Sequence, residues 1–522
     1  CDGYCVPRDA GAGRAVLDLE EEYALQSVRE DTFMSFLSWQ FAIFFLLFLI
    51  GYYLPIFQNV QYVILLIGSY IFYSLGNPIA VPILFGTTVL TYLGGFILNR
   101  HKQRRWFVLF FVLNLAILFI FKYTDFAIES INAVGTAANG AWQELPLKNL
   151  ILPAGLSFYV FQSTTYLNDI YRRGMAPEKN FFRYAAFVSF FPTLLSGPIQ
   201  RSRDLLPQLR QSICFDSDRA IKGMLLFIWG IFEKVCVANM LVQIVNAGYD
   251  TSIVPNQMQI AYYFVAAISF SLYIYADFSS YSDMARGLSK ILGLEVGRNF
   301  ENPYASTTLA EFWRRWHVSL NDWFVENIYI PLGGSRKGAF RKQLNVFIVF
   351  LISGLWHGAS WNFVLWGVVN GILVIIGNLL RPAKTNLYCL LHVDENVESI
   401  VFLRRVLVCW FITLTWVFFR NDIETSLLVL QKLVFLNPAQ LLVSNLWTIA
   451  GSETQTVLTI LFAVFFCLLQ YKRRDESSLY KKFQNQPFFF QCLALAGVLF
   501  VCVQTAASSA GTVNTNFLYF NF

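Results

Sequence analysis

Apolar blocks of bilayer-crossing length recur along almost the whole chain. They lie near 40–57, 60–76, 79–98, 106–121, 150–167, 184–197, 223–247, 259–276, 344–361, 363–380, 401–419, 426–447, 455–470 and 487–505. A helix needs about 20 mostly apolar residues to cross the hydrocarbon of a bilayer. No soluble fold absorbs so many such blocks: 56% of the chain is hydrophobic, only 14% is charged, and it carries 52 Phe. A soluble domain must keep a polar exterior, whereas lipid accepts apolar side chains without cost. The blocks are continuous and lack the alternation of a membrane β-strand, and a lipid-facing backbone must satisfy its own hydrogen bonds. The expected fold is therefore an all-α polytopic transmembrane bundle of about 11 to 13 spans, with some blocks re-entrant or interfacial. Pro192 and Pro198 single out 184–197 as the foremost re-entrant case.

Basic residues collect in short loops: Arg100, Lys102, Arg104 and Arg105; Arg172, Arg173, Lys179 and Arg183; Arg336, Lys337, Arg341 and Lys342; and Lys472, Arg473 and Arg474. The positive-inside rule places most of these loops in the cytoplasm and accounts for the net charge of +6. No polar domain with a basic face exists, so no nucleic-acid partner is expected. Residues 1–33 differ from the rest, with eight acidic and three basic residues, and are expected to form a disordered or non-native N-terminal segment. Residues 34–522 read as one transmembrane domain with a catalytic core at about 270–380. The nine cysteines are scattered, and none shows the paired Cys/His spacing of a zinc site, so no metal is expected.

Chemistry concentrates at two of the four histidines. His101 and His392 sit in polar loops and read as solvated surface residues. His357 lies in Ser353-Gly354-Leu355-Trp356-His357-Gly358-Ala359-Ser360-Trp361-Asn362, inside a strongly apolar stretch from Val346 to Leu380. That stretch is too long for one crossing, so two helices should meet near Ser360 to Asn362. An ionisable residue within such a segment is costly and marks a functional candidate. Ser353, Gly354 and Gly358 would leave an open face beside the imidazole; the competing reading is close helix packing through the small residues.

His317 lies in Glu311-Phe312-Trp313-Arg314-Arg315-Trp316-His317-Val318-Ser319-Leu320-Asn321-Asp322-Trp323-Phe324. Charge interleaved with tryptophan fits a helix at the interface or entering a polar cavity, bracketed by Pro303 and Pro331. Glu311 can pair with Arg314 and Arg315, and Asn321 lies one turn beyond His317 on the same face. The competing reading is an amphipathic anchor.

Chemically, a neutral imidazole at His357 can take the proton from an acceptor hydroxyl as it attacks an acyl carbonyl, an assistance worth about 10²–10⁴ in rate. No Gly-x-Ser-x-Gly elbow is present, so direct transfer is simpler than an acyl-enzyme. His317, with Arg314 or Asn321, would polarise the carbonyl or hold the donor, and arginine suits an anionic donor.

These segments resemble the membrane-bound O-acyltransferases, most closely the branch of bacterial alginate O-acetyltransferase membrane subunits. The resemblance is carried by Arg298-Asn299-Phe300-Glu301-Asn302-Pro303-Tyr304, the His317 segment, Tyr329-Ile330-Pro331-Leu332-Gly333-Gly334 and the His357 segment. Weaker likenesses include Lys122-Tyr123-Thr124-Asp125-Phe126 and the run from Tyr275 to Ala285. The resemblance implies that His357 and His317 are the catalytic pair. Trp313, Arg314, Asn321, Trp356, Trp361 and Asp283 are the expected substrate-binding residues. It further implies an acyl-thioester donor, acetyl-CoA or an acyl carrier, as co-substrate with no bound cofactor. The implied partner is a periplasmic or extracellular protein that accepts the acetyl group and passes it to a polysaccharide. The implied location is the bacterial cytoplasmic (inner) membrane. One departure stands out: Val325, Glu326 and Asn327 replace the Arg-Asp pair common before Tyr-Ile-Pro-Leu-Gly-Gly, which puts that pair's role in doubt here. Two other readings stay open, D-alanyl transfer to teichoic acid and a non-catalytic transporter of an acylated lipid or sugar.

Overall fold

The computed structural model describes residues 34–138, 142–250, 259–435, 444–472, 481–508 and 517–518. Segment 1–33 and the basic pair Arg473 and Arg474 lie outside them. Among the described residues nine helices are long and apolar enough to cross a membrane, and no strand forms. The one pairing of extended backbone recorded there is an isolated bridge between Phe300 and Trp316. Large apolar side chains stay exposed along the outer helices, Leu46 at 61% and Phe500 at 63% for example, as lipid-facing surfaces should. The chain is a polytopic, all-α membrane protein.

Several apolar blocks play parts other than simple crossing. The block at 150–167 becomes helix Leu156–Arg173, whose residues from Leu156 to Ile170 are all buried. It is a central post, wrapped by protein on every side. Several of its polar residues bond within that shell: the Ser163, Thr164 and Thr165 hydroxyls donate to carbonyls three residues back, and Asp169 accepts from Ser202 Oγ at 2.7 Å. The block at 184–197 breaks into the short helices Phe181–Val188 and Phe191–Leu194, both largely buried. Non-helical backbone at membrane depth is tolerated where protein encloses it, so the re-entrant expectation for the Pro192–Pro198 region agrees with this shape. The block at 426–447 contributes only the 12-residue helix Ile423–Val434 before the described residues stop.

One fully buried ion pair joins two of the inner elements. Lys234, in a π-helical stretch Glu233–Ala238, meets Asp277 at 2.6 Å, and Asp277 also accepts the Leu518 N–H at 2.8 Å. An ion pair in a membrane interior is costly unless its remaining hydrogen-bonding capacity is met, as here.

One end of the bundle gathers the basic loops. Arg172, at the exit of helix Leu156–Arg173, lies over the Phe107 ring just beyond the turn that follows helix Val81–His101, and Arg341, at the start of helix Ala339–His357, donates to the Leu332 carbonyl of the segment that follows Glu326. Arg172 donates to the Glu326 carbonyl at 2.7 Å, and the Glu326 carboxylate takes Arg173 at 3.1 Å, Arg203 at 3.3 Å and Arg201 at 3.4 Å. Glu326, the residue that departs from the related pattern, is thus an anchor that ties the His317 segment to two other elements.

Candidate acyl-transfer site

The His317 segment is not one helix. It divides into Leu309–Arg315 and Val318–Phe324, with His317 at the break in a left-handed conformation (φ 46°, ψ 55°). Backbone contacts impose the break: Val318 N–H donates to the Asn299 carbonyl at 2.9 Å and Glu301 N–H to the Arg315 carbonyl at 3.0 Å. The strap formed by Arg298 to Asn302 therefore turns the His317 side chain into the protein, where the residue is only 2% exposed. Its ring lies against Phe278 (4.7 Å between centroids), Trp356 (5.8 Å) and Phe158 (6.3 Å).

His357 is the last residue of helix Ala339–His357, and the next helix begins at Trp361, so the two helices meet where the sequence places the junction. The residue is 3% exposed, and its ring packs on Trp356 (4.7 Å), Phe419 (4.9 Å) and Trp366 (5.0 Å). Trp356 touches both imidazoles. Only part of the expected open face exists. Ser353 lines the cavity, but a Cβ on Gly354 would overlap the carbonyl oxygen of Phe363, and one on Gly358 would overlap the Phe363 ring. Those glycines serve close packing, because the crossing with helix Trp361–Leu390 brings backbone against backbone at Gly354 and Gly367.

Both histidines line a cavity of about 1410 Å³. Its inner wall is apolar and aromatic, with Trp313, Trp316, Leu320, Phe350 and Trp366. Its mouth carries Lys342, Asn378, Arg381, Lys384, Tyr388 and Arg404 and lies at the end of the bundle that holds the basic loops. Arg314 and Asn321 also line it, with Glu311 and Asp322. Arg315 pairs with Glu311 at 2.6 Å, as the spacing suggests, which leaves Arg314 toward the cavity. Burial opposes ionisation of Glu311, but the Thr307 N–H and the Arg315 guanidinium outweigh it and hold its carboxyl below the ordinary value.

The structure thus brings together His357, His317, Trp313, Arg314 and Asn321. Trp356 is 5% exposed and sits behind the cavity as the packing element between the histidines. Trp361 stands apart, 56% exposed, with its ring against Phe126. Asp283 faces a separate small polar pocket and pairs with Arg286 at 3.0 Å. Asp277 is engaged by Lys234 and is not among the residues lining the histidine cavity. Lys342, Arg381, Lys384 and Arg404 went unselected by sequence reasoning. Lys342 belongs to a basic loop that the positive-inside rule accounts for, whereas Arg381, Lys384 and Arg404 flank apolar blocks singly, where nothing local separates a cavity residue from a loop charge.

Taken together, fold and site define a polytopic membrane protein with a histidine-bearing cavity entered from its basic end. Residues 176–419 match the model of the MBOAT, membrane-bound O-acyltransferase, family. The chain is 31% identical over 447 residues to the probable alginate O-acetylase AlgI of Pseudomonas putida, covering 84% of this chain and 88% of the relative. It is 29% identical over 511 residues to the peptidoglycan O-acetyltransferase of Helicobacter pylori, covering 88% and 91%. Similarity to the teichoic acid D-alanyltransferase of Bacillus subtilis is lower, 25% over 251 residues, covering 45% of this chain and 61% of that protein. The chain belongs to the membrane-bound O-acyltransferase family, and it is an O-acyltransferase of the membrane.

Proposed function

We propose that the protein moves an acetyl group from a cytoplasmic thioester to hydroxyls of a cell-envelope or secreted polysaccharide, with His357 as general base. The observation that carries this reading is one cavity holding two buried histidines at its inner end and four cationic side chains at its mouth. A cationic mouth fits the phosphates of acetyl-CoA or of a carrier-borne phosphopantetheine, and an apolar throat fits the uncharged acyl end. The basic end is the cytoplasmic one by the positive-inside rule, in a bacterial cytoplasmic membrane. The acceptor hydroxyl reaches His357 from the other side, presented by a partner protein or by the glycan itself.

In the step proposed, His357 takes the hydroxyl proton as the oxygen attacks the thioester carbonyl. A C–O bond forms, the C–S bond breaks, and the leaving thiolate receives the proton from the imidazolium. His317 lies one tryptophan away and is suited to polarise the carbonyl. Relatives named for alginate and peptidoglycan O-acetylation support a polysaccharide acceptor over most of the chain length.

The test is ester-linked acetate on envelope and secreted glycans from cells making wild type or His357→Ala in equal membrane amounts. Acetate should fall by about 10²–10⁴-fold in the variant. Equal acetate with wild type, with His357→Ala and without the protein would overturn the acetyl reading.

A further inference from the structure

Lys122 lies in helix Arg104–Ala138 and is only 8% exposed, within a candidate membrane span. Among the described residues it meets no carboxylate. Its ammonium donates instead to the backbone carbonyls of Trp356 and His357, the latter at 3.3 Å, and stands 5.7 Å from the centre of the Trp356 ring. The next residue, Tyr123, donates its hydroxyl to the Leu355 carbonyl at 2.7 Å. Three successive carbonyls in the last turn of the His357 helix are therefore satisfied from one neighbouring helix.

A helix end leaves its last carbonyls without intrahelical donors. Many helices cover some of them with a left-handed residue that turns the following N–H groups back. Here that route is closed, because Gly358 leaves the helix extended (φ −165°, ψ 151°). Trp356 and His357 are buried, at 5% and 3% exposure, and a buried carbonyl left without a donor is costly. A cation is the fitting partner, since the C-terminal end of a helix carries partial negative charge. The residue whose backbone is so held is His357 itself.

We infer that Lys122, assisted by Tyr123, is a positioning residue for the acyl transfer: it caps the helix that ends in His357 and fixes the direction of the imidazole. This rests on the reading of His357 as the base. Without the cap the last turn loosens, and a displacement of about 1 Å at a reacting group costs on the order of a hundredfold in rate.

The test compares Lys122→Met, Lys122→Arg, Tyr123→Phe and His357→Ala. Two quantities are read in each: ester-linked acetate per amount of membrane protein, and the rate at which diethyl pyrocarbonate modifies His357 in isolated membranes, followed by peptide mass spectrometry. Lys122→Met should lower acetate about a hundredfold and change the labelling rate severalfold, with an unaltered size-exclusion profile. Lys122→Arg, which keeps a charged donor, should recover most of both. Acetate and labelling within twofold of wild type in Lys122→Met would overturn the inference, as would a folded Lys122→Arg that matches Lys122→Met. If Lys122→Met does not accumulate, Tyr123→Phe decides: altered His357 labelling supports the cap and unchanged labelling refutes it. Acetate persisting in His357→Ala would sink the base reading alone, because the labelling comparison does not depend on catalysis.

Discussion

At the residue scale, His317 shows how side chain and backbone can carry separate demands. Its left-handed conformation costs an ordinary L-residue about 1–2 kcal/mol, and asparagine is among the few that adopt it readily. His317→Asn should therefore keep the apparent melting temperature of the detergent-solubilised protein while ester-linked acetate falls at least about tenfold. His317→Ala should lower both, because alanine tolerates the backbone less well. Equal acetate in His317→Asn and wild type would assign His317 to packing. The histidine was legible in the sequence, since charge interleaved with tryptophan leaves few places for such a segment. Its kink was not, because Asn299 and Glu301 impose it through backbone hydrogen bonds from a strap earlier in the chain.

At the element scale, the decisive contact is the crossing of helices Ala339–His357 and Trp361–Leu390. An added Cβ at Gly367 would fall 2.5 Å from the Phe350 carbonyl oxygen, while one at Gly377, farther along the same helix, would meet nothing within 4 Å. Gly367→Ala should consequently destabilise by about 1–3 kcal/mol through overpacking, and lower transfer as the cavity wall moves. Gly377→Ala should leave stability unchanged, or raise it slightly. Thermal unfolding of the two variants side by side checks this. Periodicity cannot supply such a result: small residues beside His357 fit an open substrate face or a tight crossing equally well, and only the partner helix decides. The same limit applies to Leu156–Arg173, whose apolar block reads as a crossing helix although the folded chain surrounds it.

At the scale of the whole molecule, the basic end is braced by ion pairs that join elements far apart in sequence. Glu178 is buried and holds Arg183 at 3.1 Å and Arg210 at 2.8 Å, with the Asn180 N–H at 3.1 Å. Burial opposes its charge, but the Asn180 N–H and the Arg210 and Arg183 guanidiniums outweigh it and hold the carboxyl below its ordinary 4.5. A depressed folded value means the stabilisation is complete above pH 4.5 and is lost as pH falls through the folded value. The apparent melting temperature should drop in that acidic window, and Glu178→Gln should lower it at neutral pH while flattening the acid dependence. A Glu178→Gln protein with the wild-type acid profile would show that other carboxylates set it. The sequence by itself determined the membrane solvent, the helical class, the cytoplasmic placement expected for the basic loops and the two histidines worth attention. Each follows from local quantities: the length of an apolar run, the cost of a charge within it, and motifs read along the chain. Tertiary structure alone decided that Arg381, Lys384 and Arg404 share a mouth with His357, that Trp361 and Asp283 stand elsewhere, and that Lys122 caps a helix more than two hundred residues away. Those outcomes depend on which helices become neighbours, and that choice is made by packing across the bilayer, where no single segment carries the information.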